Sequence, residues 1–196
     1  MPGRDGMRLA DKAFATAIAL HERMRANLGS ALAAAEAISE ALKAERKLLV
    51  FGNGGSASDA QHMAAELVGR FQRERAAMAA IALTTDSSIL TSVANDYSFK
   101  QVFARQVDAL GRPGDVALGI STSGESPNVL VALQVARGRG LKTIALTGRD
   151  GGSVGRAADI HVNVPDQSTA RVQEVHRTLI HVMCEIIEDG FVSPEP

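Results

Sequence analysis

The chain has 196 residues, 45% of them hydrophobic, which is enough to bury a core within a single domain. Its formal net charge of -1 argues against the basic surface that binding to a nucleic acid backbone requires. The only cysteine, Cys184, rules out an intrachain disulfide, the charged N-terminus is unlike a signal peptide, and no apolar run is as long as a membrane span. We therefore expect a cytoplasmic protein with no nucleic acid or membrane partner.

Two helices are predicted before the first strand. Apolar and small residues recur at helical spacing over residues 9 to about 27 and about 30 to 44, whereas residues 1–7 are predicted to be a loose terminus. The second helix is rich in alanine, and small side chains allow another helix to approach closely. We predict that residues 1–45 form a helical hairpin that packs between subunits; the alternative is a lid over one face of a sheet.

A glycine-rich loop follows the first predicted strand. Residues 48–51 are a continuous apolar run, typical of a buried parallel strand, and residues 57–71 have helical spacing. Between them lie Gly52, Asn53, Gly54, Gly55 and Ser56, where backbone N–H groups can approach an anion at the positive end of the helix dipole. The loop is therefore a candidate phosphate site.

The helix after this loop carries a candidate chemical pair, His62 and Glu66. Their i, i+4 spacing places them one turn apart, nearly opposite a predicted core stripe of residues 60, 64, 67, 68 and 71. An imidazole and a carboxylate in this arrangement can bind one metal ion or share a proton relay. A solvated ion pair is the alternative, but the nearby glycine loop favours a functional site.

A second candidate phosphate loop follows the third predicted strand. The elements before it are a strand at 79–83, a short helix at 87–93, a turn at Asn95 and Asp96, and a helix at 99–110. The strand at 115–120 then leads into the hydroxyl-rich loop that contains Ser121, Thr122, Ser123 and Ser126. Hydroxyl and backbone donors can surround a phosphate monoester, and the loop lacks a Walker lysine. An ordinary serine-rich helix cap is the alternative.

Strands and helices alternate through the rest of the chain. A helix at 128–139, a strand at 142–146, a glycine-rich turn at 147–155 and a strand at 159–164 complete the pattern. Alternation predicts an α/β fold with a doubly wound, mainly parallel five-stranded sheet flanked by helices. Both candidate loops then lie at the carboxyl ends of strands, where such sheets bind ligands.

The last predicted helix, residues 169–189, also presents polar groups away from its core stripe. Gln173 and His181 lie off the stripe, on a face of mixed character, whereas His176 lies near the stripe and is interpreted as structural. Because the candidate faces of two helices both turn away from their own core, a subunit interface is the natural place for the site. Gln173 and His181 are about 12 Å apart along an ideal helix, so either the helix start is irregular or one ligand of a shared ion comes from another chain.

Taken together, these motifs resemble those of phosphoheptose isomerases, in the sugar isomerase (SIS) domain superfamily. The matching stretches cover nearly the whole chain and are GNGGS (52–56), HMAAE (62–66), Asn95 with Asp96, STSGES (121–126), LTGRDGG (146–152) and QEVHRTLIH (173–181). The resemblance implies one SIS domain over residues 1–196, with an α/β core at 46–196. It also implies isomerisation of sedoheptulose 7-phosphate to D-glycero-D-manno-heptose 7-phosphate, which belongs to ADP-heptose and lipopolysaccharide biosynthesis.

The resemblance further implies a cytoplasmic homotetramer with active sites between subunits and one zinc ion per site. The implied zinc ligands are His62, Glu66, Gln173 and His181. The implied substrate-binding residues are Asn53, Gly54, Gly55, Ser56, Glu66, Asn95, Asp96, Ser121, Thr122, Ser123, Ser126 and Gln173. Such a reaction needs a base and an acid, and we assign these roles to Glu66 and His181. A zinc-bound carboxylate is a poorer base, so the metal could instead polarise the substrate oxygens.

Two other functions fit parts of the sequence. A close homologue of these isomerases binds the replication initiator DnaA without the catalytic Glu and His, but Glu66 and His181 are both present here. Gly52, Gly54 and Ala57 also satisfy a dinucleotide-binding fingerprint. The acidic Asp86 comes later than the usual ribose-binding residue, and a dinucleotide would not need the hydroxyl loop, so this function is disfavoured.

Overall fold

The computed structural model describes residues 4–192 of the chain. Its helices are α1 (Arg4–Arg25), α2 (Gly29–Lys43), α3 (Gly55–Val68), α4 (Ser87–Asp96), α5 (Ala104–Leu110), α6 (Pro127–Gly138), α7 (Gly152–Ala157) and α8 (Thr169–Asp189), with a 3₁₀ turn at Phe99–Gln101. Its strands are β1 (Leu48–Gly52), β2 (Ala80–Ala82), β3 (Val116–Ser121), β4 (Lys142–Gly148) and β5 (Ile160–Val164).

The five strands form one parallel sheet in the order β2-β1-β3-β4-β5, which confirms the predicted doubly wound fold. The register places Gly52 beside Ile120, and Ser121 beside Thr147. The carboxyl ends of β1, β3 and β4 therefore meet at one edge. The glycine loop and the hydroxyl loop follow from this edge, as the alternation of strands and helices predicts.

Helices cover both faces of the sheet because the strand residues alternate between two apolar layers. Leu48 and Val50 of β1 belong to the core shared with α2, α3 and α8. Leu49 and Phe51 belong to the core shared with α5, α6 and α7. All residues of β1 and β3 are buried, as the continuous apolar runs predict.

The helix after the glycine loop is shorter and earlier than predicted. It begins at Gly55, directly after Gly54, whose φ of 55° turns the chain into the helix. It ends at Val68 because Gly69 closes its last turn and the chain then enters a loop. In the predicted core stripe, Val68 is wrong because it is 50% exposed. Phe71 packs against the core as predicted, but it lies beyond the end of the helix.

Other boundaries also differ from prediction. Asn95 and Asp96 are the last residues of α4 rather than a turn. The predicted helix at 99–110 is divided into the 3₁₀ turn and α5, and the predicted turn at 147–155 contains the end of β4 and the start of α7. At the N-terminus, α1 already begins at Arg4, so only residues 1–3 of the predicted loose terminus lie outside the described residues.

The two N-terminal helices play different parts. Alanines of α2 are buried against the sheet and α8 together with Ile38, so α2 is a core helix. Leu20 and Met24 anchor α1 to the same core, but Phe14 and Ile18 are 74% and 58% exposed. Within residues 4–192, no helix combines the length and apolar character that crossing a bilayer requires.

Candidate functional site

The glycine loop is fixed at its first polar side chain. Asn53 Nδ2 donates to Asn128 Oδ1 at 2.9 Å, and Asn128 Nδ2 donates back to Asn53 Oδ1 at 2.8 Å. Asn128 lies at the start of α6 and is 2% exposed, so it holds the loop after β1 against the helix after β3. Asn53, Gly54 and Ala57 also line a pocket of about 180 Å³ that reaches Thr84. The sequence does not reveal Asn128, because it is an ordinary polar residue at a helix start.

The hydroxyl loop brings three of its predicted side chains together. Ser121 Oγ lies 2.9 Å from Ser126 Oγ and 3.3 Å from Ser123 Oγ. Ser126 is the N-cap residue of α6, but its side chain makes no capping bond, so its hydroxyl is free for the cluster. Oxygen donors next to a helix N-terminus suit a phosphate group.

Glu125 turns away from this cluster and caps α7 instead. Ser153 donates to it twice, from N to Oε1 at 2.9 Å and from Oγ to Oε2 at 2.7 Å. These hydrogen bonds lower the pKa of the Glu125 carboxyl. The carboxylate of Glu125 therefore faces the first turn of α7. This cap from another loop explains why a helix forms in a glycine-rich stretch that is predicted to be a turn.

The remaining candidate residues lie along a seam between α3 and α8. Both helices begin at the carboxyl edge of the sheet and run in the same direction, so contacts between them recur in order. Three pairs form the seam: Gly55 with Gln173, Asp59 with Arg177, and His62 with His181. A Cβ atom at Gly55 would overlap the Gln173 amide, which shows how closely the first pair is packed.

His62, Glu66 and His181 lie together at the third pair. His62 Nε2 is 2.7 Å from His181 Nε2 and 3.4 Å from Glu66 Oε1. The side chains of His62 and Glu66 are 28% and 21% exposed, so solvent and ligands can reach them. Burial and the positive charge of Arg177 lower the pKa of His62, with Glu66 acting against them. The pair predicted on α3 thus has one partner from α8.

Gln173 is not part of this cluster in the same chain. Its amide lies against Gly55, and Gly55 precedes His62 on α3 by about 10 Å of helix rise. Because α8 is helical from Thr169 to Asp189, an irregular helix start does not bring Gln173 to His181. Of the two explanations, an irregular helix start and a ligand from another chain, only the second remains.

The donor set at the third pair suits zinc in its chemistry. Two imidazoles and a carboxylate are common zinc ligands, and a tetrahedral ion separates two nitrogen ligands by about 3.3 Å. The observed 2.7 Å is a hydrogen bond between the two rings, in which one nitrogen donates and the other accepts. In residues 4–192, no group of three or more His, Cys, Asp or Glu side chains is already spaced to hold a metal ion. The rings would have to separate by about half an ångström to share one.

A buried ion pair holds the loop that follows α3. Glu188 of α8 is 1% exposed and accepts hydrogen bonds from the backbone N–H groups of Phe71, Gln72 and Arg73, at 3.0, 2.9 and 2.9 Å. Its partner Arg75 lies 3.4 Å away. This clasp places the Phe71 ring 5.7 Å from the His181 ring, between centroids. Sequence reasoning missed Glu188 because its partners are backbone groups.

Other predicted residues lie apart from these clusters. Asn95 and Asp96 are exposed at the end of α4, where Asn95 Nδ2 donates to Asp96 Oδ1 at 2.9 Å. Ser56 is 5% exposed in the first turn of α3. His176, interpreted as structural, is fully buried and its Nε2 lies 2.9 Å from the carbonyl oxygen of Thr147. On the face of α8 that carries Gln173 and His181, Ile180 and Cys184 are fully buried whereas the Arg177 side chain is 40% exposed, so this face is mixed, as predicted.

Comparison with known proteins agrees with this architecture. The model of the SIS domain family matches residues 14–148. A phosphoheptose isomerase of Geotalea daltonii is 53% identical over 173 residues, which cover 86% of this chain and 90% of that protein. The phosphoheptose isomerase structure from Neisseria gonorrhoeae is 46% identical, with a TM-score of 0.89 over 93% of this chain and 98% of that one. The corresponding structure from Francisella tularensis is 39% identical, with a TM-score of 0.90 over 94% and 98%.

The parallel sheet and its two phosphate-type loops therefore define a SIS domain protein. Within that class, identities above 50% over most of the chain are decisive. The chain belongs to the phosphoheptose isomerase family, as its motifs predict. Nothing in these comparisons supports the DnaA-binding alternative.

Proposed function

We propose that this chain isomerises sedoheptulose 7-phosphate to D-glycero-D-manno-heptose 7-phosphate, an early step towards the heptose of lipopolysaccharide. The observation that carries the proposal is the meeting of Glu66, His62 and His181 on a seam that begins at the glycine loop. A carboxylate and an imidazole within one cluster provide the base and the acid that moving a carbonyl group requires. The names of relatives at 52–57% identity support the same reaction.

The phosphate end of the sugar is assigned to the two loops at the sheet edge. The Ser121 hydroxyl lies 3.3 Å from that of Ser123 and 2.9 Å from that of Ser126. The N-terminal ends of α3 and α6 add favourable helix dipoles. The assigned substrate-binding residues are Asn53, Gly54, Gly55, Ser56, Glu66, Asn95, Asp96, Ser121, Thr122, Ser123, Ser126 and Gln173.

Glu66 and His181 are assigned to proton transfer. Glu66 removes a proton from the carbon next to the ketose carbonyl while His181 protonates the carbonyl oxygen, which gives an enediol. Return of a proton to the former carbonyl carbon, with loss of the proton from the neighbouring hydroxyl, gives the aldose. Both groups lie next to His62, whose Nε2 is 2.7 Å from His181 Nε2 and 3.4 Å from Glu66 Oε1.

A zinc ion is proposed as the cofactor. His62, Glu66 and His181 would hold it from one chain, and because Gln173 of that chain lies at Gly55, a Gln173 ligand would come from another subunit. When bound, zinc supplies Lewis-acid polarisation of substrate oxygens, and because zinc makes a bound carboxylate a poorer base, this polarisation is the alternative to proton transfer by Glu66.

A cytoplasmic homotetramer is proposed as the working form. The exposed apolar residues Met7, Phe14 and Ile18 recur on one side of α1 and are 65%, 74% and 58% exposed, as a helix that packs against a second copy requires. The free, buried Cys184 is consistent with a reducing compartment. Sedimentation of the purified chain measures its assembly state.

The decisive experiment is turnover of sedoheptulose 7-phosphate by metal-stripped protein, by the same protein with zinc restored, and by the Glu66→Gln variant. We expect zinc-dependent turnover that falls by at least about 1,000-fold in Glu66→Gln while substrate still binds, because the amide cannot accept the proton. Glu36→Gln, an exposed carboxylate change on α2, is the matched control. Full activity in Glu66→Gln would remove Glu66 from the base role, and no turnover with any metal would remove the proposed reaction.

A further inference from the structure

Arg177 occupies the middle of the seam between α3 and α8. It lies four residues after Gln173 and four before His181, so the three side chains share one side of α8. Its partner Asp59 lies on α3 between Gly55 and His62. The Arg177–Asp59 pair therefore stands between the contact at the glycine loop and the cluster proposed to transfer protons.

The guanidinium of Arg177 is held firmly but is only partly used. Arg177 Nε and Nη2 both lie on one oxygen, Asp59 Oδ1, at 2.8 and 2.6 Å. Nη1 has no acceptor among the described residues, and a guanidinium carries five N–H donors. Donors of Arg177 thus remain available, and the side chain is 40% exposed.

Asp59 is a buried carboxylate whose position is explained by this arginine. It is fully buried, and its second oxygen, Oδ2, has no hydrogen-bond partner in the described part of the chain. Burying a carboxylate is unfavourable unless a cation compensates it, and Arg177 is the cation that contacts it. The buried carboxylate of Asp59 therefore fixes the position of the partly exposed Arg177 guanidinium.

Arg177 also lines a pocket beside the seam. The pocket has a volume of about 440 Å³ and is lined by Asp59, Ala170, Gln173, Glu174 and Arg177. Glu174 is neutralised by Arg171, and Asp59 by Arg177, so both carboxylates that line the pocket are compensated. The pocket also contains Gln173, which we assign to substrate binding, and it suits an oxygen-rich ligand.

We propose that Arg177 is a substrate-binding residue: its guanidinium, oriented by Asp59, binds an oxygen at the reacting end of the sugar phosphate. This assignment rests on the proposed isomerase function. Negative charge develops on that oxygen as the carbon next to the carbonyl loses its proton, and a fixed cation at this place stabilises the charge more than it stabilises the neutral substrate. Asp59 is the positioning residue, since it acts only through Arg177.

The test compares steady-state kinetics of the wild type, Arg177→Met and Arg177→Lys. We expect kcat to fall about 100-fold in Arg177→Met with KM changed less than about 5-fold, and the lysine variant to recover part of the loss. Arg137→Met is the matched control, because Arg137 is an exposed arginine that pairs with Asp159 at 2.8 Å, away from the seam. A kcat for Arg177→Met within about 2-fold of the wild type would overturn the proposal.

A double variant separates binding from folding. Arg177→Met alone leaves Asp59 buried and unpaired, whereas Asp59→Asn with Arg177→Met removes both charges. A structural role predicts that the double variant recovers both the melting temperature and kcat. The proposal predicts that it recovers the melting temperature while kcat stays about 100-fold low. Recovery of kcat would contradict the binding role.

Calorimetric titration with sedoheptulose 7-phosphate distinguishes failure of the proposed role of Arg177 from failure of the proposed isomerase reaction. Wild-type turnover together with an unaffected Arg177→Met variant would overturn only the role of Arg177. If the wild type binds the sugar phosphate without turning it over, the reaction is wrong, and weaker binding by Arg177→Met, with binding of inorganic phosphate unchanged, still supports the contact. Absence of both binding and turnover in the wild type would overturn both proposals.

Discussion

At Gly55, where the glycine loop leads into α3, the chain lies close against α8. The amide of Gln173 occupies the space where any other residue would place its Cβ atom. Neighbouring Gly54 has a different constraint, since its φ of 55° is a conformation that side chains disfavour. Two adjacent glycines thus serve separate purposes, one for close approach and one for the turn.

Gly55→Ala should displace Gln173 without unfolding the chain, because the overlapping atoms are the mobile end of a long side chain. We expect KM for the sugar phosphate to rise about tenfold, as loss of one good hydrogen bond implies. Gly138→Ala on α6 is the matched control, because a Cβ there meets nothing within 4 Å. Unchanged KM in Gly55→Ala would mean that Gln173 does not contact the substrate from this position.

The sequence predicts which residues belong to the site better than it predicts which residues they contact. His62 and Glu66 are predicted as a pair from their spacing alone, and they lie 3.4 Å apart. Asn128, Asp59 and Glu188 are missed because each depends on a partner far along the chain: Asn53, Arg177 and the loop after α3. No local pattern encodes such a contact.

At the scale of elements, the loop between α3 and β2 is stabilised by charge rather than by secondary structure. Arg75 donates to the carbonyl oxygens of Glu66 and Leu67 at 2.7 and 2.9 Å, which satisfies the end of α3. Glu188 compensates this buried cation and accepts the loop N–H groups. Burial opposes ionisation of Glu188, but these hydrogen bonds and Arg75 prevail and lower its pKa.

Glu188→Gln should destabilise the fold by about 3 kcal/mol, because it leaves Arg75 buried without a counter-charge and offers fewer acceptors to the loop. Urea unfolding at pH 7 measures this change in the free energy of unfolding. The adjacent Asp189→Asn is the control, since its ion pair with Arg73 is exposed and should contribute less than about 1 kcal/mol. Equal losses of unfolding free energy in the two variants would show that the buried Glu188–Arg75 pair contributes no more than the exposed pair.

Element boundaries show where sequence patterns stop being informative. The bounds of α8 are predicted correctly because its apolar stripe and its N-cap Ser168 agree. The start of α7 is missed because glycines usually indicate turns, whereas here Glu125 supplies the cap from another loop. The extent of α3 is misjudged because Phe71 continues the apolar pattern after the helix has ended.

In the molecule as a whole, His176 links the layer of α8 to the sheet. This residue belongs to α8, lies against the end of β4 and is fully buried. Burial lowers its pKa to about 4, because the charged imidazole cannot be hydrated there. Its Nδ1 has no partner in the described residues, so a protonated ring would also carry an unsatisfied donor.

The stability of the wild type should therefore depend on His176 below neutral pH. The unfolded chain takes up this proton near pH 6.5, but the folded protein does not do so until about pH 4, so stability falls as the pH falls through that interval. Between pH 7 and pH 5 the loss from this one group is about 2 kcal/mol. Unfolding of the wild type and His176→Gln at both pH values, at equal protein concentration, measures the difference. A variant with the same pH dependence as the wild type would show that His176 is not responsible.

The overall fold is the most predictable level, since five apolar runs that alternate with helices leave few arrangements besides a parallel sheet. The seam is much less predictable. Its pairs are separated by 118 or 119 residues, as in Asp59 with Arg177 and His62 with His181. Only the folded chain shows that α3 and α8 start at the same edge and run side by side.

This shared direction also determines how the site can change during evolution. Contacts along the seam recur about once per helical turn. Insertion of a single residue within 173–181 would therefore rotate His181 away from His62 by about 100°. An insertion or deletion within residues 173–181 would therefore disrupt the seam. Substitution of the middle pair, Asp59 with Arg177, changes no spacing. Substitution at position 177 therefore leaves the contacts of Gly55 with Gln173 and of His62 with His181 in register.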